Sequence, residues 1–165
     1  MLPAATVRSW QLDQLRKDLE IVKRILNSAS REEMTGYRDG GTGWTALEIL
    51  CHLWDYEDIF LQRASLTVEE EVPPLPNPDP DAWAREHHYN EQDLQTTYDG
   101  WVQRREAFLA YLGGLDENAW QRVGEHPRRG KMTVQDQLAL IAWHDVNHIE
   151  QMTRTLTERK QQSAR

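Results

Sequence analysis

Apolar residues recur at spacings of three and four along four long segments of the sequence, and this period restricts the fold more than any other feature. The first segment covers residues 7–27, and its apolar positions form one stripe down a helix: Leu12, Leu15, Leu19, Val22 and Leu26. The segments 45–65, 90–113 and 133–159 repeat the pattern. A helix with one apolar stripe buries it against other helices, so we predict an all-α chain of four packed helices with no convincing β-strand.

The starts of two predicted helices are marked by capping residues. Thr45 and Glu48 have the spacing of a capping box, in which each side chain bonds the backbone N–H of the other residue. Thr133 and Asp136 repeat this spacing before the fourth helix, although Asp is a poorer capping-box partner than Glu. At the other end of the fourth helix, we expect the polar tail after Arg159 to fray.

A proline-rich stretch separates the second predicted helix from the third. Residues 66–88 contain five of the seven prolines, and a proline inside a helix removes a hydrogen bond and clashes with the preceding turn. We therefore expect an ordered or semi-ordered crossover there. A connection of this length within a compact domain is usually functional or required by the topology. The chain as a whole, residues 1–165, is expected to form a single domain.

Charge and cysteine content exclude several kinds of partner. The formal net charge is −8, with Lys and Arg scattered among the acids, so we expect no nucleic-acid partner. No apolar run approaches the ~18 residues that cross a bilayer, and no secretory leader is visible before Trp10, so no membrane partner is expected. The single cysteine, Cys51, rules out an internal disulfide and fits a reducing compartment. The sequence therefore favours a cytoplasmic protein.

Three of the six histidines lie at the margins of predicted apolar stripes. His144 and His148 are four residues apart on the fourth helix, so their side chains project from the same side, one turn apart. His52 lies beside the stripe of the second helix. Three imidazoles can hold one divalent ion at metal–nitrogen distances of about 2.0–2.1 Å, so we predict a metal site at these residues. The alternative is a set of core-edge histidines bonded to backbone or carboxylate groups.

The remaining histidines are predicted to be surface residues. His87 and His88 adjoin the proline-rich crossover, and His126 lies in the last loop. Cys51 precedes His52 but points about 100° away from it around the helix, so we expect a structural thiol and not a shared ligand.

Carboxylates near the three histidines are candidates for orienting the rings. Metal-bound histidines normally give their second N–H to a carboxylate or a carbonyl, and Asp145, Glu57 and Glu48 are placed to accept it. Asp145 falls inside an otherwise apolar face, so it is equally suited to pair with a core-edge arginine such as Arg105. For Arg105 itself, we expect a stem that lies on the core and a head that stays in water.

Two stretches of the sequence resemble the DinB-like family of four-helix-bundle metalloproteins. They are GWTALEILCHLWDYE, residues 43–57, and GKMTVQDQLALIAWHDVNHIEQM, residues 130–152, and residues 89–112 are in the same style. The resemblance implies an up-down-down-up bundle with a long crossover between the second and third helices. It also implies ligands at the matching positions, His52, His144 and His148, and nickel or zinc as the ion. Family members with a known activity are largely thiol-dependent enzymes, namely transferases that use a low-molecular-weight thiol and a maleylpyruvate isomerase.

Function follows from the open coordination of such a site. Three neutral imidazoles leave a divalent ion at least one free position, which is typical of catalytic sites. We predict an enzyme, S-transferase-like or hydrolase-like, that activates a thiol or water against a small electrophilic substrate, with Asp145 or Glu57 relaying the proton. The alternative is a non-catalytic, metal-stabilised binding or dimerisation module. Seven tryptophans and the family resemblance lead us to expect a homodimer.

Overall fold

The computed structural model describes the backbone of residues 2–163 and the side chains up to residue 157. Within this range the elements are α1 Ala4–Leu26, α2 Arg31–Gly36, α3 Ala46–Glu69, α4 Pro80–Glu86, α5 Leu94–Gly113, α6 Glu117–Trp120, β1 Val123–His126, β2 Gly130–Thr133 and α7 Val134–Ser163. Two short 3-10 turns lie at Asp39–Gly41 and Tyr89–Glu91.

The four long helices α1, α3, α5 and α7 form an up-down-down-up four-helix bundle, as predicted. The helix α3 packs against both α5 and α7, and α1 packs against α7. The apolar stripes meet along the bundle axis, where they remove their side chains from water. Fully buried side chains include Leu15, Val22, Leu50, Leu53, Trp101, Phe108, Leu138 and Met152.

Both predicted capping boxes are formed. The N–H of Thr45 donates to Glu48 Oε2 at 2.7 Å, and the N–H of Glu48 donates to Thr45 Oγ1 at 3.2 Å. At the start of α7, the corresponding distances between Thr133 and Asp136 are 2.9 and 3.0 Å. The shorter Asp side chain therefore still closes the box. The helix continues to Ser163, and the last residues of the tail that was expected to fray lie outside the described residues.

The prediction that the chain has no strand is wrong for one short segment. The strands β1 and β2 form an antiparallel hairpin directly before α7, with Val123 opposite Thr133. The crossover adds to its edge, since the N–H of Leu75 donates to the Glu125 carbonyl at 2.9 Å. A Cβ added to Gly124 would lie 2.6 Å from Thr67 Oγ1, so the hairpin rests closely on the end of α3.

The long crossover between α3 and α5 is ordered and contains the short helix α4. Pro80 is the first residue of that helix, where a missing N–H costs nothing, and Asp79 caps it by accepting from the N–H of Asp81 at 3.0 Å. The indole of Trp83 on α4 lies edge-on to Tyr56 of α3, with ring centroids 6.0 Å apart. The crossover therefore covers one side of α3. In the part of the chain that the structure describes, no helix combines the length and the apolar character that a membrane span requires.

Candidate metal centre

The three histidines predicted as ligands lie together in the structure. His52 comes from the second turn of α3, and His144 and His148 come from the neighbouring antiparallel helix α7. One ring nitrogen from each residue lies within 4.8 Å of those of the other two. His52 Nε2 lies 2.9 Å from His144 Nε2. His52 is buried and the other two are half-buried, so the cluster lies at the margin of the core.

Hydrogen bonds on the far side of two rings fix which nitrogen carries the proton. His144 Nδ1 lies 3.0 Å from Asp145 Oδ1, and an ionised carboxylate only accepts, so Nδ1 is protonated. His148 Nδ1 lies 2.9 Å from Gln151 Oε1, and the amide group of Gln151 donates to Asp39 Oδ2 at 2.9 Å. His148 Nδ1 therefore also carries the proton. With Nδ1 protonated, a neutral ring of either residue carries its lone pair on Nε2, the nitrogen that can bind an ion.

Burial favours the neutral form of the His52 and His148 rings. It lowers the pKa of His52 well below the usual value, and the neighbouring imidazoles of His144 and His148 lower it further. Burial and the same proximity to His144 bring the pKa of His148 to about 4. Neutral imidazole is the form that binds metals, because the lone pair is then available.

The donor set fits a divalent cation. Metal–nitrogen distances of about 2.0–2.1 Å at tetrahedral or octahedral angles require ligand nitrogens roughly 2.9–3.4 Å apart, which the pair of His52 and His144 already meets. The protonated Nδ1 atoms of His144 and His148 have the acceptors that metal-bound histidines normally have. His52 Nδ1 is buried and has no hydrogen-bond partner among the described residues. The expected alternative, histidines held by carboxylate or backbone partners alone, does not explain three rings that face one another.

A buried network of charges supports the ring of His144. Arg105 donates from Nη2 to Asp145 Oδ2 at 2.6 Å and to Glu57 Oε2 at 2.6 Å, and its Nε donates to Glu57 Oε1 at 2.7 Å. The expectation that the head of Arg105 stays in water is therefore wrong, because the side chain is fully buried. Asp145 makes both contacts that the sequence suggested for it: Oδ1 bonds the ring of His144 and Oδ2 pairs with Arg105. Although burial alone would raise the pKa of Asp145, the Arg105 charge and the bond from His144 lower it below the usual value.

Glu57, the other carboxylate predicted at the site, is connected to the histidines only through Arg105 and Asp145. Both of its oxygens face Arg105, and Oε2 also accepts from Trp101 Nε1 at 3.1 Å. It makes no hydrogen bond to His52, His144 or His148. Glu48 is used in the capping box of α3 and in an ion pair with Arg38.

Aromatic side chains surround the histidine cluster. The Trp44 and Tyr56 rings lie 4.9 and 4.2 Å from that of His52, and the edge of Phe60 faces His144 at 5.1 Å. Trp44 belongs to a tight loop in which Gly40 has a φ of 56°, a conformation that glycine adopts without strain. Aromatic rings therefore contact His52 and His144 on the sides that face the core.

A cavity of about 330 Å³ adjoins the cluster at His144. Its lining includes Tyr56, Phe60, Arg63, His126, Trp143 and His144. Trp143, the neighbour of His144 in sequence, is 60% exposed at this cavity. Trp54, which follows His52 by two residues, lies away from the cavity, under the guanidinium of Arg104.

The prediction that His126 is a surface residue is wrong. It lies on β1, is 4% exposed, and lines the cavity with His144. Its burial depends on the hairpin, which the sequence did not reveal. His87 and His88 are exposed as predicted. Cys51 is buried, and burial raises the pKa of its thiol to about 12, as expected of a structural residue.

Comparison with known proteins identifies relatives of the whole bundle. The sequence model of the DinB superfamily matches residues 11–152. A protein of Oceanobacillus iheyensis, described as a candidate metal-dependent hydrolase, is 24% identical over 155 residues, which cover 93% of this chain and 87% of the relative. YfiT of Bacillus subtilis, described in the same way, is 28% identical over 164 residues, which cover 92% and 87%.

Two solved structures share the fold. The four-helix bundle of Bacillus subtilis YfiT, described as a probable metal-dependent hydrolase, matches with a TM-score of 0.84 at 24% identity and covers 93% of this chain and 87% of that one. The mycothiol-dependent maleylpyruvate isomerase matches with a TM-score of 0.72 at 14% identity. That match covers 92% of this chain and 61% of the isomerase, so the isomerase has a substantial part without counterpart here.

Proposed function

This chain belongs to the DinB superfamily, and we propose that it is a metal-dependent enzyme whose divalent ion is held by His52, His144 and His148. The observation that carries the proposal is the convergence of three imidazoles beside an accessible cavity. Such an ion retains its charge and open coordination positions, so it supplies a Lewis acid that lowers the pKa of water or of a thiol. Zinc or nickel suits nitrogen ligands of this kind.

The residues of the chain hold the ligands and shape the reaction space. Asp145 and Gln151 keep Nδ1 of His144 and His148 protonated, so that each ring presents Nε2. Arg105 fixes Asp145 in turn. Both oxygens of Asp145 are engaged and it does not line the cavity, so its geometry favours orientation of the ring over relay of a proton. Glu57 supports the same network through Arg105.

The chemistry we propose is activation of a thiol or of water for attack on a small electrophilic substrate. The hydrolase descriptions of the relatives support water as the nucleophile. The mycothiol dependence of the structurally similar isomerase supports a low-molecular-weight thiol. The alternative of a non-catalytic binding module requires a site closed by side chains, whereas here a cavity of about 330 Å³ reaches His144. That cavity favours the enzyme.

A paired assay separates the two nucleophiles. Zinc-loaded and nickel-loaded protein are offered a panel of cellular thiols with electrophiles, and in parallel esters and amides without thiol. Turnover that requires thiol supports the transferase, and turnover without thiol supports the hydrolase. Activity must be lost in His52→Ala and kept in His88→Ala, which alters an exposed histidine away from the cluster. Absence of turnover in both panels, with metal bound, would favour the non-catalytic binding module over the enzyme.

We also propose a homodimer. Trp143 and Val146 are three residues apart on α7 and are 60% and 48% exposed, so two neighbouring apolar side chains of this helix meet solvent. Light scattering at micromolar concentration should give twice the chain mass of 19.3 kDa. A mass equal to that of one chain would contradict the proposal.

A further inference from the structure

The cavity beside His144 has a positively charged lining that the proposed chemistry does not require. Arg63 lies on α3, and Arg128 and Arg129 occupy the turn between β1 and β2. Within the described part of the chain, the lining contains no Asp or Glu. The chain has a formal net charge of −8, so its surface in general repels anions, and a cavity lined by three arginines departs from that background.

Arg63 differs from the other buried arginines in having no counter-ion. Among the described residues the buried arginines are Arg8, Arg63 and Arg105. Arg8 forms an ion pair with one carboxylate, and Arg105 forms ion pairs with two. No described carboxylate lies within ion-pair distance of Arg63, although its exposed fraction is only 4%. A buried charge without a counter-ion is unfavourable by several kcal/mol relative to a paired one, on the order of the values in mutational studies.

The hydrogen bonds of Arg63 hold its guanidinium at the cavity. Its Nε donates to the Pro76 carbonyl at 2.8 Å, and its Nη2 lies 3.3 Å from Asn77 Oδ1. Nη1 has no partner among the described residues. Burial is the main effect on Arg63 and lowers its pKa; Tyr56 raises the pKa and the nearby charge of Arg129 lowers it, so the balance is unfavourable to an isolated cation. An anion bound in the cavity would offset this balance through its opposite charge.

The charges of the same three arginines also act on His126, which lines the cavity with them. Burial lowers its pKa first, and the charges of Arg63, Arg129 and Arg128 lower it further. The backbone N–H of Arg128 donates to His126 Nδ1 at 3.2 Å, which fixes the turn that carries the two arginines. The turn that places Arg128 and Arg129 at the cavity is therefore held by a hydrogen bond of its own backbone.

We propose that this cavity binds the carboxylate or phosphate group of the small molecule that reacts at the histidine cluster, with Arg63 as its main partner. Arg128 and Arg129 add charge from the turn above it. A guanidinium pairs with such groups through two parallel hydrogen bonds, which fixes orientation as well as position. Phe60 and Trp143 contact the apolar part of the molecule, and His144 bounds the cavity on the side of the cluster. This assignment deepens the proposed function, since it names the substrate class of the same site.

Binding of simple anions tests the proposal without turnover. Succinate and inorganic phosphate are titrated by calorimetry into the zinc-loaded protein, with succinamide as the uncharged counterpart of succinate. The primary variant is Arg128→Gln with Arg129→Gln, because both residues are exposed and their loss leaves the bundle intact. Its affinity for succinate should fall about three- to tenfold. The matched control, Arg16→Gln with Arg24→Gln, removes the same charge from exposed positions of α1 and should leave the affinity unchanged.

Arg63→Gln should have the larger effect, about ten- to a hundredfold, because a charge-assisted bond in a buried site is lost. Its thermal unfolding is measured in parallel, since Arg63 also ties the crossover to α3. Equal binding of succinate and succinamide, or equal affinity in the double variant and its control, would overturn the proposal.

The same titration on chelator-treated protein separates this proposal from the proposed function. The arginines hold the anion, so affinity should change less than about threefold when the metal is removed. Binding that needs the metal and ignores the arginine substitutions would overturn the anion site and leave the metal enzyme standing. Arginine-dependent anion binding by a protein that never takes up metal would support the anion site and overturn the metal enzyme. An activity assay then shows which reactant carries the anionic group. Mercaptosuccinate serves as the thiol and fumarate as the electrophile, and each is compared with its diamide. If the acid form of one reactant, thiol or electrophile, is used better than its diamide, that reactant carries the anionic group. The Arg128→Gln, Arg129→Gln variant should then lose kcat/KM for that reactant and not for the other.

Discussion

Asp145 bonds the ring of its own neighbour in sequence, since its Oδ1 lies 3.0 Å from Nδ1 of His144. Its second oxygen accepts from Arg105 at 2.6 Å, so the ring of His144 is coupled to a residue on a different helix. The consequence is a fixed orientation: the imidazole cannot rotate away from the cluster without breaking a buried, charge-assisted bond.

Asp145→Asn should weaken metal binding while leaving the ligands in place. The amide is a poorer acceptor for the Nδ1 proton, so the affinity for zinc should fall about ten- to a hundredfold. Competition with a chromophoric chelator measures this affinity. The ligand-field spectrum of the cobalt-substituted variant should shift as well, which a purely structural role for Asp145 would not produce. An unchanged affinity and spectrum would remove Asp145 from the site.

Arg105→Met should destabilise the fold strongly. The substitution leaves the carboxylates of Asp145 and Glu57 buried without their cation, and removing one partner of a buried ion pair costs about 3–5 kcal/mol. Urea unfolding at neutral pH measures the loss. Arg104→Met is the matched control, because Arg104 is the next residue on α5 but its ion pairs are partly exposed. Equal losses in the two variants would contradict the buried network.

Asp18 provides a test of pH dependence. It is fully buried on α1, and burial raises its pKa from 3.8 to about 6. The folded state therefore favours the protonated form, so the free energy of unfolding should decrease as the pH rises from 3.8 to about 6. Asp18→Asn removes this loss and should be more stable than the natural chain at neutral pH, by about 1–2 kcal/mol.

The advantage of Asp18→Asn should vanish near pH 4 or below, where the natural carboxyl is already protonated. Asp13→Asn, at an exposed position of the same helix, serves as the control and should show no such pH dependence in its difference from the natural chain. A constant difference between Asp18→Asn and the natural chain at every pH would show that Asp18 does not titrate with folding.

The sequence was informative wherever the signal lay within one helix or one turn. The apolar stripe from Leu12 to Leu26 and the capping pair Thr45 and Glu48 are local patterns, and each predicted its element correctly. The four-residue spacing of His144 and His148 likewise placed both rings on one face of α7, and His52 joined them because the fold itself was predicted correctly.

Predictions failed where burial depends on residues distant in sequence. Arg105 is buried because Glu57 and Asp145 meet it from two other helices, 48 and 40 residues away, and no local pattern around Arg105 shows this. His126 is buried because its strand pairs both with β2 and with the crossover, and strands of four residues are too short to show a period of two. Cavity-lining arginines such as Arg63 were missed for the same reason. The unpaired charge is visible only when the surrounding side chains are in place.

The central claim is tested most directly by the metal content of the protein purified without an affinity tag. Elemental analysis should find one divalent ion per chain in the natural protein and in His88→Ala, which alters an exposed histidine. The variants His52→Ala, His144→Ala and His148→Ala should each lose most of the metal, since a three-ligand site keeps little affinity with two ligands. Retention of one ion per chain in all three variants would show that the histidine cluster is not the metal site and would contradict the account.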